Sequence, residues 1–511
     1  MSKLMSRKLS FVFIILQLLF SIGLCMLVFF VGFIPTKYAI ILICVCVILM
    51  VYQVLSQIAN SSYIIGRILC VAFCAFFCFG GYYLYSTYHA MAQISGANTK
   101  IDVISYYVLK DDPAKSLMDA KDYKYGILKD IDRENTNKAL AEAKNEVGKD
   151  LTTVEYSDTS TLVDALYAGE VKVAVFNQGF INTVKEQYKT FKKDTRELVK
   201  HEIETEVEEE KPNDYDSEVT TKPFILYISG IDVYGKLAKN SRSDVNILAV
   251  INPLTKRILL VSTPRDYFVP LYDTEGNPRS GGARDKLTHA GIYGIEVSMG
   301  TLQKVYGCNI DYYMRVNFSS VRDIIDLIGG VEVYSDVGFT SVLGPTKGSH
   351  YVFDKGYNKV DGKKGLAFCR ERKNLANGDY QRGRDHQHMI EAILNKVMSP
   401  AILGDYPALL SSSKKMFQTN MSMEALSSFA KMQLDDMAKW KISYANAAGN
   451  GTTARTYSMP STNLYVCKPD MQSVAKITAK INKFMNERPG DGTKGTDSTG
   501  TAPLNDQGTN Q

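Results

Sequence analysis

Three apolar runs at the N-terminus constrain this chain more than any other feature. Phe11 to Ile34 is broken only by Gln17, Ser21 and glycines; Ala39 to Ile58 and Ile64 to Tyr85 follow. Each is close to the ~20 residues a helix needs to cross the hydrocarbon core of a bilayer. A cleaved signal peptide fits the first run poorly, because the run is long, lacks a small-residue cleavage site and precedes two further spans. Lys3, Arg7 and Lys8 lie before the first run, so the positive-inside rule puts the N-terminus in the cytoplasm. Arg67 then falls on the inner side and Lys37 on the outer, with Tyr82, Tyr83, Tyr85 and Tyr88 as an aromatic belt at the outer exit. Three spans from an inside start leave everything after about Tyr88 extracytoplasmic. The expected organisation is a three-span region over 1–88, a smaller outer domain with an acidic linker over 97–218, a larger outer domain over 219–487 and a disordered tail over 488–511.

Charge supports this division. Five of the 59 basic residues and none of the 54 acidic ones lie before Tyr88, so the net charge of +5 belongs to the apolar segment. The polar remainder is balanced, which argues against a nucleic-acid-binding domain with its excess of Lys and Arg. At 511 residues the chain has room for two to three domains. Six of the nine cysteines lie in the spans, and Cys308, Cys369 and Cys467 make no complete disulfide framework or zinc spacing. Cys70, Cys74 and Cys78 recur every four residues and are read as small residues at a helix–helix contact.

The outer region reads as α/β throughout. Ile101 to Leu109 and Val171 to Phe176 look like strands, and a long charged helix is expected from about Thr183 into the acidic stretch His201 to Lys211. Its six glutamates, Glu202 to Glu210, are read as a solvated helix end and linker. Pro212-Asn213-Asp214 breaks that helix. Pro223 to Ser229 then begins a second module, and Val245 to Ile251 with Arg257 to Ser262 carry a hairpin signal. Helices near 289–306 and 320–327 alternate with strands at 311–316 and 331–334, and Met389, Ile390, Ile393, Leu394 and Val397 follow helical spacing. The Gly/Thr/Asn-rich tail after Arg488 has no core-forming pattern. The expected fold is a mixed central sheet flanked by helices, plus a small α/β accessory domain.

There is no P-loop, no H-E-x-x-H and no G-x-S-x-G in the outer region. Instead, acids and arginines gather at the ends of expected strands: Gly230-Ile231-Asp232, Arg242-Ser243-Asp244, Thr263-Pro264-Arg265-Asp266, Arg370-Glu371-Arg372, and Asp379 with Arg382 and Arg384. Strand-end carboxylates suit Mg²⁺, which takes one or two carboxylates and completes its shell with water and phosphate. Arginines supply bidentate clamps for phosphate oxygens. Singly, each cluster reads more readily as a turn residue, a surface ion pair, a solvated arginine or a helix-face partner. Together they point to a phosphate-bearing anion.

These residues carry a resemblance. The ordered set G-x-D, R-S-D, T-P-R-D, K-L-T-H-A (Lys286 to Ala290), V-N-F (Val316 to Phe318), G-G-V-E-V (Gly329 to Val333), A-F-C-R-E-R ending at Arg372 and G-D-x-x-R-G-R (Gly378 to Arg384) resembles the LytR–CpsA–Psr family. It covers roughly Thr221 to Met398, and the three spans and accessory domain resemble the capsule-associated CpsA branch. The resemblance implies a phosphotransferase moving a glycopolymer, here capsular polysaccharide, from an undecaprenyl-pyrophosphate carrier to peptidoglycan. It places Mg²⁺ ligands at Asp232 and Asp244 and phosphate-binding groups at Arg265, Lys286, Arg370, Arg372 and Arg382. Asp379 matches a further polar position, and Asp379 or Asp266 is the candidate general base. One position departs: the family commonly has Gln seven residues after the Asp of G-D-x-x-R, where this chain has His386 followed by Gln387. Both enter the expected phosphate-binding set. Expected partners are the lipid-linked polysaccharide, peptidoglycan, the membrane and other capsule-assembly proteins, with no nucleic acid. The alternative is a regulator or polymer-binding component of capsule assembly that does no chemistry.

Orientation is testable directly. A reporter active only in the cytoplasm, fused after Ser217, is expected to stay silent; strong activity there contradicts the topology.

Overall fold

In the computed structural model the described residues are 2–32, 34–58, 63–95, 99–206, 218–231, 241–279, 281–346, 348–375, 378–399 and 417–490. Asp232, the Pro212 break and the tail beyond Gly490 lie outside them.

The apolar runs form α1 (Ser2–Val31), α2 (Thr36–Ile58) and α3 (Tyr63–Ser95). Within them, Leu9–Val31, Thr36–Ile58 and Tyr63–His89 are long and apolar enough to cross a membrane. Leu24, Cys46 and Phe77 pack at the bundle centre, while Phe29, Phe30, Ile48, Ile68 and Phe76 point outward. An apolar exterior on a helical bundle suits lipid as solvent. Of the cysteine stripe, Cys70 and Cys74 are buried and Cys78 is exposed.

The first polar module is a five-stranded sheet. Its elements are β1 (Thr99–Leu109), β2 (Lys124–Leu128), α4 (Arg133–Val147), β3 (Thr152–Tyr156), α5 (Thr159–Ala168), β4 (Val173–Asn177), α6 (Ile181–Gln187), α7 (Phe191–Asp194) and β5 (Thr195–Glu206). Strand order is β3-β2-β4-β1-β5. The expected long charged helix is replaced by the short α6 and α7 and by β5, which runs antiparallel to β1 with Ile104 opposite His201. Val199, His201 and Ile203 turn inward while Lys200, Glu202 and Glu204 stay exposed. That period of two is a strand signal. The glutamate run concealed it.

The second module is built on a six-stranded mixed sheet. Its chain order is β6 (Phe224–Ile231), β7 (Ser243–Asn252), β8 (Arg257–Ser262), β9 (Phe268–Pro270), β10 (Arg284–Lys286), α8 (Leu287–Ala290), α9 (Ile295–Tyr306), β11 (Tyr312–Asn317) and α10 (Phe318–Leu327). Then come β12 (Val331–Ser335), β13 (Phe339–Thr340), β14 (Val352–Phe353), β15 (Gly356–Val360), α11 (Gly362–Arg370), α12 (Asp379–Val397), β16 (Phe417–Thr419) and α13 (Met423–Asp436). β17 (Lys441–Asn446), β18 (Gly449–Thr456), β19 (Met459–Pro469) and α14 (Met471–Asn486) complete it. The main sheet runs β16-β11-β6-β7-β8-β17, with β6–β11 and β8–β17 parallel and the remaining pairs antiparallel.

Alternation along the strands fills both faces of this sheet. Leu248, Val250, Leu259 and Val261 pack on α9 and α14 through Ile295, Leu302, Val474 and Ile481. Ile247, Ala249, Ile258 and Leu260 pack on α12 and α13 through Ile390, Leu394, Ala425 and Phe429. A sheet covered on both faces needs apolar residues at both parities, which β7 and β8 supply. The same helix α13 places Leu426, Ala430 and Leu434 against Val31, Leu84 and Tyr88 at the ends of α1 and α3. Lys37, just inside α2, pairs with Asp435 of α13. The sheet module therefore rests on one end of the helical bundle, the end that carries Lys37 and Tyr88.

Candidate active site

An open cleft of about 350 Å³ lies where β7, the turn after β8 and the first turns of α12 converge. Asp244, Ser262, Thr263, Arg265, Asp379, Arg382, Gly383, His386 and Asn446 are among its lining residues. The carboxylate of Asp244 accepts from Arg265 Nη1 at 2.8 Å and from the Thr288 hydroxyl at 2.8 Å. Burial alone would raise its pKa; Arg242, Arg265 and Arg382 outweigh that and hold it far below the usual carboxylate range. Asp244 is therefore a fixed anion on the cleft wall.

Behind it, charges close into a ring. Arg242 lies 3.5 Å from Asp244 and 2.5 Å from Glu186. Lys286 pairs with Glu186 at 3.1 Å and with Asp266 at 3.3 Å. Arg265 completes the circuit, 3.7 Å from Asp266. Burial raises the Glu186 pKa, but Arg242 and Lys286 dominate and bring it down to about 2. Glu186 belongs to α6 of the first module. Nothing in its sequence context announces it, because its partners lie 56 and 100 residues away.

Helix α12 serves three neighbours with three faces. Asp379, Arg382, Gly383 and His386, spaced three and four residues apart, line the cleft. Arg382 and Asp379 form an ion pair there. A Cβ on Gly383 would lie 2.7 Å from Ser262 Oγ, so glycine lets the helix reach the end of β8. On another face Asp336, just past β12, accepts from Arg384 at 2.7 and 2.8 Å, from Gln381 at 3.2 Å and from His388 Nε2 at 3.2 Å. Burial pushes Asp385 beside them up to about 7. Burial opposes protonation of His388, but its bonds to Asp336 and Glu391 raise it to about 9.

Each expected site residue has a definite position, apart from Asp232, which lies outside the described residues. Asp244, Arg265, Asp379, Arg382 and His386 meet at the cleft. Lys286 and Asp266 are buried in the ring and are not among the cleft-lining residues. Arg370 lies over the Phe318 ring at 4.4 Å, and Arg372 is exposed at the start of the next loop. Gln387 donates to the backbone carbonyls of Leu260 and Ala445, both at 2.9 Å, so its amide ties α12 to β8 and β17 rather than facing a phosphate. Arg370-Glu371-Arg372 is one charged cluster in the sequence but not in the structure. Its centre, Glu371, is buried and accepts the backbone N–H groups of Arg372, Lys373, Asn374 and Val342, which shapes the loop between its two arginines.

His386 bonds through Nε2 to the carbonyl of Cys369 at 2.8 Å. A carbonyl only accepts, so that nitrogen carries the proton. Burial and the neighbouring Arg382 lower its pKa to about 3, so the ring is neutral and its other nitrogen is an acceptor. As placed, the imidazole adds neither a positive charge nor a donor for phosphate.

The family model described as the LytR_cpsA_psr family matches residues 176–483, beginning within the first module. The protein described as polyisoprenyl-teichoic acid–peptidoglycan teichoic acid transferase TagU of Bacillus licheniformis is 26% identical over 266 residues, 52% of this chain and 79% of that one. Its counterpart of the same description in Enterococcus faecalis is 30% identical over 231 residues, 45% of this chain and 68% of that one. Among solved structures, TagV of B. subtilis aligns over 52% of this chain and 99% of its own, with 22% identity and a TM-score of 0.43.

The His386 assignment has a direct readout. Its imidazole NMR signals are expected to show no titration step between about pH 5 and about pH 8. Because its folded pKa is depressed, unfolded chain takes up a proton that folded chain does not as pH falls from about 6.5. Stability should therefore decline over that acid range, and His386→Gln should flatten the decline. A step near neutral pH would contradict the assignment of a neutral ring.

Proposed function

The chain belongs to the LytR–CpsA–Psr family, and we propose that it transfers a polyisoprenyl-linked glycopolymer to peptidoglycan on the outer side of the membrane. The observation that carries this reading is the cleft itself: an ionised Asp244 bonded to Arg265, with Arg382 and Asp379 lining the same cleft. Oriented arginines in a partly desolvated cleft neutralise phosphate oxygens and need no rearrangement as charge develops. The curated relatives' descriptions name polyisoprenyl-teichoic acid and peptidoglycan. For this chain we propose capsular polysaccharide as the polymer, since three spans followed by a separate α/β module resemble the capsule-associated branch.

The residues present fit a Mg²⁺ ion. Asp244 is an oxygen donor that stays ionised beside an open cleft, and a hard cation taking one or two carboxylates fills its remaining positions with water and phosphate. Among the described residues no group of three or more His, Cys, Asp or Glu is arranged for a metal, so Asp244 would be the chain's described contribution. When bound, the ion would neutralise charge on the pyrophosphate.

In the proposed reaction a peptidoglycan hydroxyl oxygen forms a bond to the sugar-proximal phosphorus. The bond from that phosphorus to the bridging oxygen breaks, and polyprenyl monophosphate leaves with the bridging oxygen. Phosphoryl transfer of this kind needs mainly positioning and charge stabilisation. Arg265 and Arg382 hold the phosphate oxygens. Asp379 lines the cleft and is the better candidate to receive the hydroxyl proton; Asp266 is engaged by Lys286 behind the wall. The contact of α13 with α1 and α3 ties the module that carries the cleft to the helical bundle.

The test is transfer of a labelled lipid-linked glycan to peptidoglycan, with Mg²⁺ and with chelator. Asp244→Asn keeps size and removes charge, so it is expected to abolish transfer while the fold survives. Metal-independent transfer by an equally active variant would sink the metal-assisted reading. A wild type that binds the lipid but never transfers would favour a polymer-binding role.

A further inference from the structure

Arg242 and Lys286 are buried cations that do not line the cleft. Each is paired with Glu186, a carboxylate from the first module. Taking the polyprenyl-pyrophosphate reading above as its basis, we propose that Glu186 is a positioning residue of the cleft, through which the first module sets the site's geometry and charge.

The ring holds three carboxylates, Glu186, Asp244 and Asp266, against three cations, Arg242, Arg265 and Lys286. Its charges cancel only when the first module contributes its member. Arg242 is 2.5 Å from Glu186 but 3.5 Å from Asp244, so Glu186 takes the closer contact. Without that charge, the nearest remaining carboxylate for Arg242 is Asp244, and for Lys286 it is Asp266. Both cations would close on the two acids that flank Arg265. Arg265 Nε lies 3.7 Å from Asp266 Oδ2, beyond hydrogen-bond distance, so this pair has latitude to be pulled out of place. Among the described residues, the resting arrangement keeps Asp244 on the cleft wall with only Arg265 and Thr288 in hydrogen-bond contact.

A second, independent observation is that α6 is anchored across the module boundary. Ile181 and Val184 of α6 share a buried cluster with Ile292 of the second module. Nearby, the hydroxyls of Thr159 and Ser160 lie 3.4 Å from the sulfur of Met459, at the start of β19. A side chain on an element packed into both modules is held firmly enough to orient others. Because Arg242 and Lys286 sit behind the wall, Glu186 acts on them from the rear and does not occupy the place of a phosphate.

The experiment uses the full-length protein in detergent, as wild type, Glu186→Gln and Glu186→Asp. Farnesyl pyrophosphate is the binding probe, and transfer of a labelled lipid-linked glycan is the second readout. In Glu186→Gln the cleft gains one positive charge, so the probe should bind several-fold more tightly and lose affinity more steeply with added salt. Turnover should fall several-fold or more without a rise in the KM for lipid. Glu186→Asp keeps the charge on a shorter stem and should bind the probe as wild type does while recovering part of the turnover. A loosened fold weakens binding and turnover together, so that pattern overturns the proposal. Wild-type behaviour of Glu186→Gln, or faster turnover, overturns it too. If the wild type binds the probe but transfers nothing, the transferase reading fails on its own, and the shift in probe affinity still decides the role of Glu186.

Discussion

A carboxylate buried as deeply as Asp244 survives in its charged form only if cations surround it. That requirement organises the second module. Arg242 and Asp244 sit at the start of β7, Arg265 follows β8, Thr288 comes from α8 and Arg382 from α12. Strand pairing brings the first three together, because β7 and β8 are antiparallel neighbours with Ile247 opposite Ser262. The helices must then arrive in register, which is the task of Gly383 against Ser262 and of Gln387 on the sheet carbonyls. Removing one ring partner leaves another charge without its counter-ion, so the members of the ring are coupled to one another.

The ring also links levels of the structure that look separate in the chain. The helical bundle contacts the sheet module through α13, and the first module contacts it through α6 and α5. Both contacts are made with the module that carries the cleft.

Much of this was legible in the sequence, for physical reasons that differ by element. The three spans were plain because nothing but a membrane suits such runs. β7 and β8 showed in their apolar runs and the Asn252-Pro253 turn between them. β5 was misread, since its inward residues Val199, His201 and Ile203 are diluted by a charged outer face. The cleft acids and arginines stood out because strand ends rarely collect so many charges without a use. Which of them face a ligand was hidden. Lys286 and Asp266 turn to each other, Gln387 turns to backbone, and His386 gives its one proton to Cys369. Glu186 was invisible because long-range pairing leaves no local pattern. Glu371 was hidden too: a helix C-terminus leaves carbonyls unpaired, not N–H groups, and the N–H groups it accepts belong to the loops beside it.

The account rests on Asp244 and Arg265 acting as one unit. A double-mutant cycle measures that directly, with Asp244→Asn, Arg265→Gln and the pair, read as farnesyl pyrophosphate affinity. The two residues touch at 2.8 Å and are both largely buried, so a coupling above about 1 kcal/mol is expected. Losses that simply add would mean the two groups act separately, and the ring would not be what organises the cleft.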